Sequence, residues 1–463
     1  MPVKDAVVIG GGMTGLAVSA ALRLAGVTNI VVYDKSPKGL EGPWSTYARM
    51  PTLRTAKNAT GPALGIASLT YRAWYEAQFG ADAWTKLDKA PRQSWMDYLI
   101  WYRRILDLPV ENNVEVSRLL PQNDATILLK IKRSGQQESV LTRHVVLATG
   151  FDGFGGPNLP PFIAGIDRKF WAHTSDDIDF TSLKGKHVGV VGFGASALDN
   201  ACTALEAGAR QVDVFIRRKE IPAIQKFGGI RGSGLTYGFA GLPDEWKWRF
   251  LAYEHETQNP APRQSLLRMA SFDNARLFSA TPVVSVAEEA GALSIVTPTE
   301  THRLDYLILA TGFCNDPTRR PELADIAPHI LLWRDRYPEA AYADLARSPY
   351  LGRGFVFQEK DAGSCPVLRR IHCLTHASTL SRGKLATGVP NLSEAALQTM
   401  KSIVQDLFVE DRESHYRSLQ NHQVREFSEA ELEKLLVRPE ANDLATLRAN
   451  AMNCSANDSR SDS

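Results

Sequence analysis

Two short glycine turns, each set between a strand-like run and a helical stretch, constrain this chain more than any other feature. In the first, Ala6 to Ile9 leads into GGGMTG, Leu16 to Leu24 reads as a helix, and Asn29 to Tyr33 reads as a second strand closed by Asp34. Gly10, Gly12 and Gly15 satisfy G-x-G-x-x-G. The first glycine permits the tight turn, the second lets a pyrophosphate approach the backbone, and the third lets the helix pack on the strand. Asp34, followed by Lys35, can accept hydrogen bonds from a ribose diol. These residues read as a dinucleotide site.

The plan recurs. HVGVVGFGASA (187 to 197) carries Gly192, Gly194 and Ser196, with Ala197 in place of the third glycine, and runs through a helix to VDVFIRR. Where the first copy has an acid, the second has Arg217, Arg218 and Lys219, which would attract a 2′-phosphate. FAD is therefore expected at the first turn and NADPH at the second, a solvated basic turn beside NADH being the alternative. Each copy ends in an ATG turn, with Thr149 and Gly150 in one and Thr311 and Gly312 in the other. A flavin and a nicotinamide on one chain imply hydride transfer between them.

The expected fold is α/β, with two Rossmann-like dinucleotide-binding domains and the NADPH domain inserted into the FAD domain. Residues 1–157 would form the first part of the FAD domain and 158–315 the NADPH domain, entered through the Pro-rich GFGGPNLPPF and left through Asn315 to Pro317. Residues 316–437 would complete the FAD domain and its substrate pocket. The polar segment 438–463, closing on NCSANDSRSDS, has the composition of a disordered tail.

Composition narrows the partners. Of the 463 residues, 53 are basic and 51 acidic, a net charge of +2 that favours neither nucleic acid nor an anionic membrane over a small organic substrate. The 5 cysteines are odd in number and include no C-x-x-C, which argues against a disulfide framework, a metal site and a dithiol reductase. The N-terminus leaves no room for a signal peptide, and no run approaches the ~20 apolar residues of a membrane helix. A cytoplasmic enzyme is expected; its oligomeric state is not legible.

The two glycine turns, the two ATG turns and the GPW at 42 to 44 together resemble the class B flavoprotein monooxygenases, which include flavin-containing, Baeyer–Villiger and amine N-hydroxylating enzymes. The resemblance implies that Gly10, Gly12, Gly15, Asp34 and Trp44 serve FAD and that Gly192, Gly194, Arg217 and Arg218 serve NADPH. It implies that the ATG turns connect the domains near both cofactors, and that Thr387 and Gly388 lie near the isoalloxazine. It further implies that molecular oxygen reacts through a C4a-(hydro)peroxyflavin protected by NADP. Of the fingerprint F-x-G-x-x-x-H, the stretch DRKFWAH (167 to 173) keeps only His173, which points to a bacterial side branch tailoring secondary metabolites.

In the same resemblance the segment 45 to 61 passes over the flavin, which makes Arg54 and Lys57 the candidate catalytic cations. An arginine there would hold the oxygen intermediate as an anion, as nucleophilic attack on a carbonyl requires. Arg54 thus tips the reading toward Baeyer–Villiger insertion, with N-hydroxylation and an NADPH-dependent flavin reductase or oxidase as alternatives. Arg54 could equally pair with a pyrophosphate or a carboxylate, and Lys57 has a structural alternative. His173 could orient NADPH or the inter-domain linker, or be scaffold. Trp74, Tyr75, Phe79 and Trp84 read as core more readily than as a pocket wall. Trp95, Tyr98, Leu99 and Tyr102, at helical spacing, are expected to pack on the sheet.

Overall fold

The computed structural model describes residues 2–230, 232–337, 342–437, 446 and 448, so the expected tail at 438–463 lies outside the described residues but for two positions. The chain forms two compact units, Met1–Leu407 and Phe408–Ser463. The expected 316–437 segment is therefore divided at Leu407. The second unit contains the helices Arg412–Asn421 and Glu429–Glu433. Ser428 and Glu431 cap the latter reciprocally, hydroxyl to backbone and carboxylate to backbone.

The first sheet is built from β1 (Val3–Ile9), β2 (Ile30–Asp34), β3 (Val110–Asn112), β4 (Val114–Pro121), β5 (Ile127–Arg133) and β6 (Gln136–Leu147). Its order is β3-β2-β1-β6-β5-β4. β1 runs parallel to β2 and β6, with Val7 beside Val31 and Val145, while β4, β5 and β6 form an antiparallel meander. All five residues of β2 are buried, as a parallel strand covered on both faces must be. That burial explains why β2 reads as an unbroken apolar run up to Asp34.

The second sheet takes β7 (Trp171–His173), β8 (His187–Val191), β9 (Gln211–Phe215) and β10 (Ala275–Phe278). The antiparallel β11 (Ser285–Glu289), β12 (Ala292–Val296) and β13 (Thr301–Leu304) form a separate small sheet, and β14 (Tyr306–Leu309) returns to the second sheet in the all-parallel order β10-β9-β8-β14-β7. The chain then comes back to the first sheet, where β15 (Ile371–Cys373) runs parallel to β6. The second Rossmann-like sheet is thus inserted into the first. The two crossings lie side by side: Pro157 bridges Phe313, and Asp316 N donates to Phe154 O (3.0 Å).

Two features depart from the sequence reading. Between β9 and β10 the second copy carries the extra helices Ser233–Gly238 and Asp244–Thr257 before the helix Arg263–Met269. Phe239, Trp248 and Leu251 of this stretch pack with Trp333, Ala346 and Leu380 in a core of their own. Second, the aromatic stripe of helix Arg92–Ile105 meets the sheet only at the edge residue Val110 of β3 and packs mainly elsewhere. Trp95, Tyr98 and Tyr102 join Tyr71, Trp74, Trp84 and Trp44 in an aromatic layer against Leu16 and Ala20 of helix Met13–Leu24. The buried Tyr98 and Tyr102 hydroxyls donate to the carbonyls of Leu69 (2.7 Å) and Pro62 (2.6 Å), which offsets the cost of desolvating them. Trp74 and Trp84 are core, whereas Phe79 is exposed. Among the described residues no helix is long and apolar enough to cross a membrane.

Candidate cofactor and active-site cleft

The C-terminal ends of parallel strands are where an open α/β sheet leaves room for a ligand. A cleft of about 810 Å³ lies there, lined by Gly10 and Gly12 of the first glycine turn, by Ala195 and Ser196 just past the second, and by the chain that returns near Thr387. At the first turn Gly10 has φ +106°, and a Cβ on it would stand 2.4 Å from the Ala148 carbonyl oxygen. A Cβ on Gly15 would stand 1.8 Å from the Gly10 carbonyl oxygen, so helix and strand close only because that position has no side chain. Gly12 caps the helix N-terminus and lines the cleft.

Asp34 is buried, and its two carboxylate oxygens accept from Gly11 N (2.6 Å) and Ser36 N (2.7 Å). Each oxygen keeps a lone pair for a ribose hydroxyl. Lys35 is exposed at the rim. Trp44 lines the cleft with its ring edge-to-face on Trp95 (6.3 Å), and its buried indole N–H has no partner among the described residues. These residues fit FAD.

The second turn repeats the geometry with one relaxation. Gly192 has φ +119°, and Gly194 caps the helix Ala195–Glu206. Ala197, however, sits buried at the place of Gly15, so this helix stands far enough from its strand to admit a methyl group. Ser196 lines the cleft. Past the end of β9, Arg217 is exposed and has no ion-pair partner among the described residues, while Arg218 donates to the Glu256 carbonyl (3.0 Å). The residues fit a phosphorylated dinucleotide.

The ATG turns divide in role. Thr149 and Gly150 line the cleft. Thr311 and Gly312 are instead tied to the incoming crossing, since Thr311 Oγ1 donates to the Asn158 carbonyl and Asn158 N to the Gly312 carbonyl (2.9 Å). Thr387 lines the cleft, and the Thr14 hydroxyl donates to Ala386 O (3.0 Å), joining that segment to the first helix. Gly388 lies one residue beyond the lining.

The three candidate catalytic residues part company. Arg54 lines the cleft and its guanidinium is ion-paired with Asp199, a buried acid on the helix after the second glycine turn. Its partner is thus a carboxylate of the opposite nucleotide-binding fold, not one within its own. Lys57 faces away from the cleft. Its ammonium donates to the carbonyls of Trp84 (2.7 Å) and Leu87 (2.5 Å) and lies 5.0 Å from the Trp84 ring centre, where it caps the helix Ala81–Lys86. His173 is buried on β7 with Nδ1 accepting from Ser175 N (3.2 Å), which leaves the proton on Nε2. Burial pushes its pKa below the ordinary value, against the opposing charge of Asp176. Its ring meets Phe313 edge-on, so it braces the crossing segments.

Asp199 and Asn200 were not singled out from the sequence. The signal was present: an acid and an amide interrupt the otherwise small and apolar ASALDNACTALE, three and four residues after Ser196, on the helix face that reaches the cleft. Phe151 and Phe313 also line the cleft and were missed. No group of three or more His, Cys, Asp or Glu side chains suited to a metal occurs among the described residues.

Residues 7–227 match the pyridine nucleotide-disulphide oxidoreductase family. The fold is shared with ornithine hydroxylase from Pseudomonas aeruginosa (TM-score 0.70, 17% identity, 88% of this chain and 100% of that one). It is shared likewise with L-lysine 6-monooxygenase from Pseudomonas syringae (TM-score 0.66, 17% identity, 87% and 99%). Over 429 residues the chain is 37% identical to an FAD-dependent urate hydroxylase from Xanthomonas campestris pv. campestris, covering 92% of this chain and 90% of the relative. The chain belongs to the class B flavoprotein monooxygenases. As a class B flavoprotein monooxygenase it is an FAD-dependent oxidoreductase. The sequence contains neither a C-x-x-C nor a C-x-x-x-x-C motif of the kind dithiol reductases use.

Proposed function

We propose that this monooxygenase hydroxylates a small, nitrogen-rich heteroaromatic compound, urate or a near relative. The observation that carries the reading is the 37% identity to a urate hydroxylase, which extends over 92% of this chain and 90% of the relative and so spans both nucleotide folds and the returning segment. Bound FAD supplies the carrier that accepts hydride from NADPH and passes electrons to oxygen. The chain's own residues bind and orient. Asp34 receives the ribose of FAD, Arg217 attracts the 2′-phosphate of NADPH, and Arg54 with Asp199 joins the two sides of the cleft.

Arg54 now speaks against the Baeyer–Villiger reading. An arginine that stabilises an anionic oxidant must have charge to spare, and the Arg54 charge is compensated by a buried carboxylate. That favours attack by a protonated oxidant on an electron-rich ring. N-hydroxylation, the chemistry named for the ornithine and lysine enzymes, rests on likeness of fold alone. The test is turnover by purified, FAD-loaded protein. Urate should accelerate NADPH oxidation and be consumed with it, while ornithine, lysine and a cyclic ketone should not; turnover with one of those three and none with urate overturns the proposal.

A further inference from the structure

Where the first ATG turn meets the chain leaving β15, an imidazole lies against the cleft-lining Phe151. Leu374 N donates to Leu147 O (2.9 Å), and His376 N reaches Gly150 O at 3.5 Å, so the segment after β15 is laid along the turn. The His376 ring stacks on Phe151, with centroids 4.9 Å apart and planes 27° apart. Phe151 is 45% exposed and lines the cleft, with Phe313 beside it at 6.4 Å.

Of the histidines in the first unit, His144 pairs with His372, His173 with Ser175 and His187 with Asp213. Neither ring nitrogen of His376 has a hydrogen-bond partner among the described residues, and the residue is exposed. The charged groups facing it are Lys384 and Glu254, which are ion-paired to each other. Desolvation is the main cause that pushes the His376 pKa below its ordinary value, with Lys384 acting in the same sense and Glu254 against it. At neutral pH the ring is therefore uncharged, with one nitrogen free to accept a proton.

We propose that His376 is a catalytic residue of this enzyme, a base that takes the proton from a ring N–H of a planar heteroaromatic substrate seated beside the His376–Phe151 stack. The inference rests on the reading of the substrate given above. In the step, the substrate N–H bond breaks, the proton forms a new N–H bond on the imidazole, and the electron pair stays in the substrate ring. The ring gains one unit of negative charge and becomes richer in electrons at the carbon to be hydroxylated. Water at the open side of the cleft then takes the proton from the imidazolium and restores the neutral base. A general base of this kind contributes ~100-fold or more.

The experiment compares wild-type holoenzyme with His376→Gln and Phe151→Ala. For the wild type, kcat/KM for urate should fall as pH drops through the lowered imidazole pKa. His376→Gln should remove that limb and reduce kcat/KM by about 100-fold, leaving FAD content, thermal midpoint and the rate of flavin reduction by NADPH unchanged. Phe151→Ala should weaken urate binding, measured by calorimetry, and keep the pH limb. If His376→Gln keeps the limb, or turns over urate within threefold of wild type, the proton-accepting role is overturned while the substrate reading stands. If wild-type enzyme neither binds nor oxidises urate or any other purine, the substrate reading fails and the inference falls with it.

Discussion

The guanidinium of Arg54 and the carboxylate of Asp199 form an ion pair across the cleft, from the loop after Trp44 to the helix after the second glycine turn. Ser265 donates to the other Asp199 oxygen (2.6 Å), so the buried acid is satisfied on both sides. The pair joins the loop after Trp44 to the second glycine-turn fold. Removing Arg54 leaves Asp199 desolvated with a single hydrogen bond, and because Arg54 itself is partly exposed the cost is about 1–2 kcal/mol, below that of a fully buried pair. Arg54→Ala should lower the thermal midpoint and reduce substrate turnover about tenfold or more with FAD content unchanged. Asp199→Asn, which removes the charge and keeps the size, should reproduce the turnover defect. Wild-type turnover in both variants would show the pair to be idle.

Gly15 and Ala197 occupy the same place in two turns and should respond in opposite ways. Gly15→Ala puts a methyl carbon 1.8 Å from the Gly10 carbonyl oxygen, so the helix must move off β1 and the pyrophosphate cradle with it. The expected result is protein purified without flavin. Ala197→Gly widens nothing and costs about 1 kcal/mol of helix propensity, so NADPH should still reduce the enzyme. Absorbance spectra of the two purified variants check both statements.

Arg217 is the exposed cation past β9, whereas Arg218 is engaged with the Glu256 carbonyl. Arg217→Ala should raise KM for NADPH about tenfold and leave KM for NADH unchanged, because only the 2′-phosphate distinguishes the two. Equal effects on both nucleotides would move the phosphate site elsewhere.

Acid should destabilise the protein through a buried histidine pair. His144 on β6 and His372 on β15 face each other at 3.2 Å, and burial lowers His372 to about 4 and His144 well below the ordinary 6.5. The folded state holds both neutral while the unfolded chain binds protons from about 6.5 downward. The contribution to stability is therefore complete above 6.5 and is lost as pH falls from there toward 4. Urea midpoints between pH 7 and 4 should fall over that window, and His372→Gln should flatten the slope. An unchanged slope in the variant would place the acid sensitivity in other groups.

Much of the fold could be read from the chain because its strongest signals are local. Gly10, Gly12, Gly15 and Asp34 lie within one βαβ unit, and their spacing carries its own geometry. Arg54 and Asp199 are a different matter: 145 residues separate them, and nothing near Arg54 says which carboxylate it meets. Periodicity likewise shows that Trp95, Tyr98 and Tyr102 share a face, but the main partner of that face, an aromatic layer, is a tertiary fact. Lys57 looked like a cation beside the flavin because only its distance along the chain was visible; in space it turns to the carbonyl end of a helix. His376 gave no signal at all, since a histidine after a short strand is ordinary until its stacking partner and its missing hydrogen bonds are known.

The central claim is that this enzyme places one atom of molecular oxygen into a heteroaromatic substrate. It is tested most directly by giving FAD-loaded protein NADPH, urate and isotopically labelled oxygen gas, then following label in the product beside NADPH consumed and hydrogen peroxide formed. About one labelled atom should enter the product for each NADPH oxidised, with little peroxide. Full conversion of NADPH into peroxide, with urate unchanged and unlabelled, would contradict it.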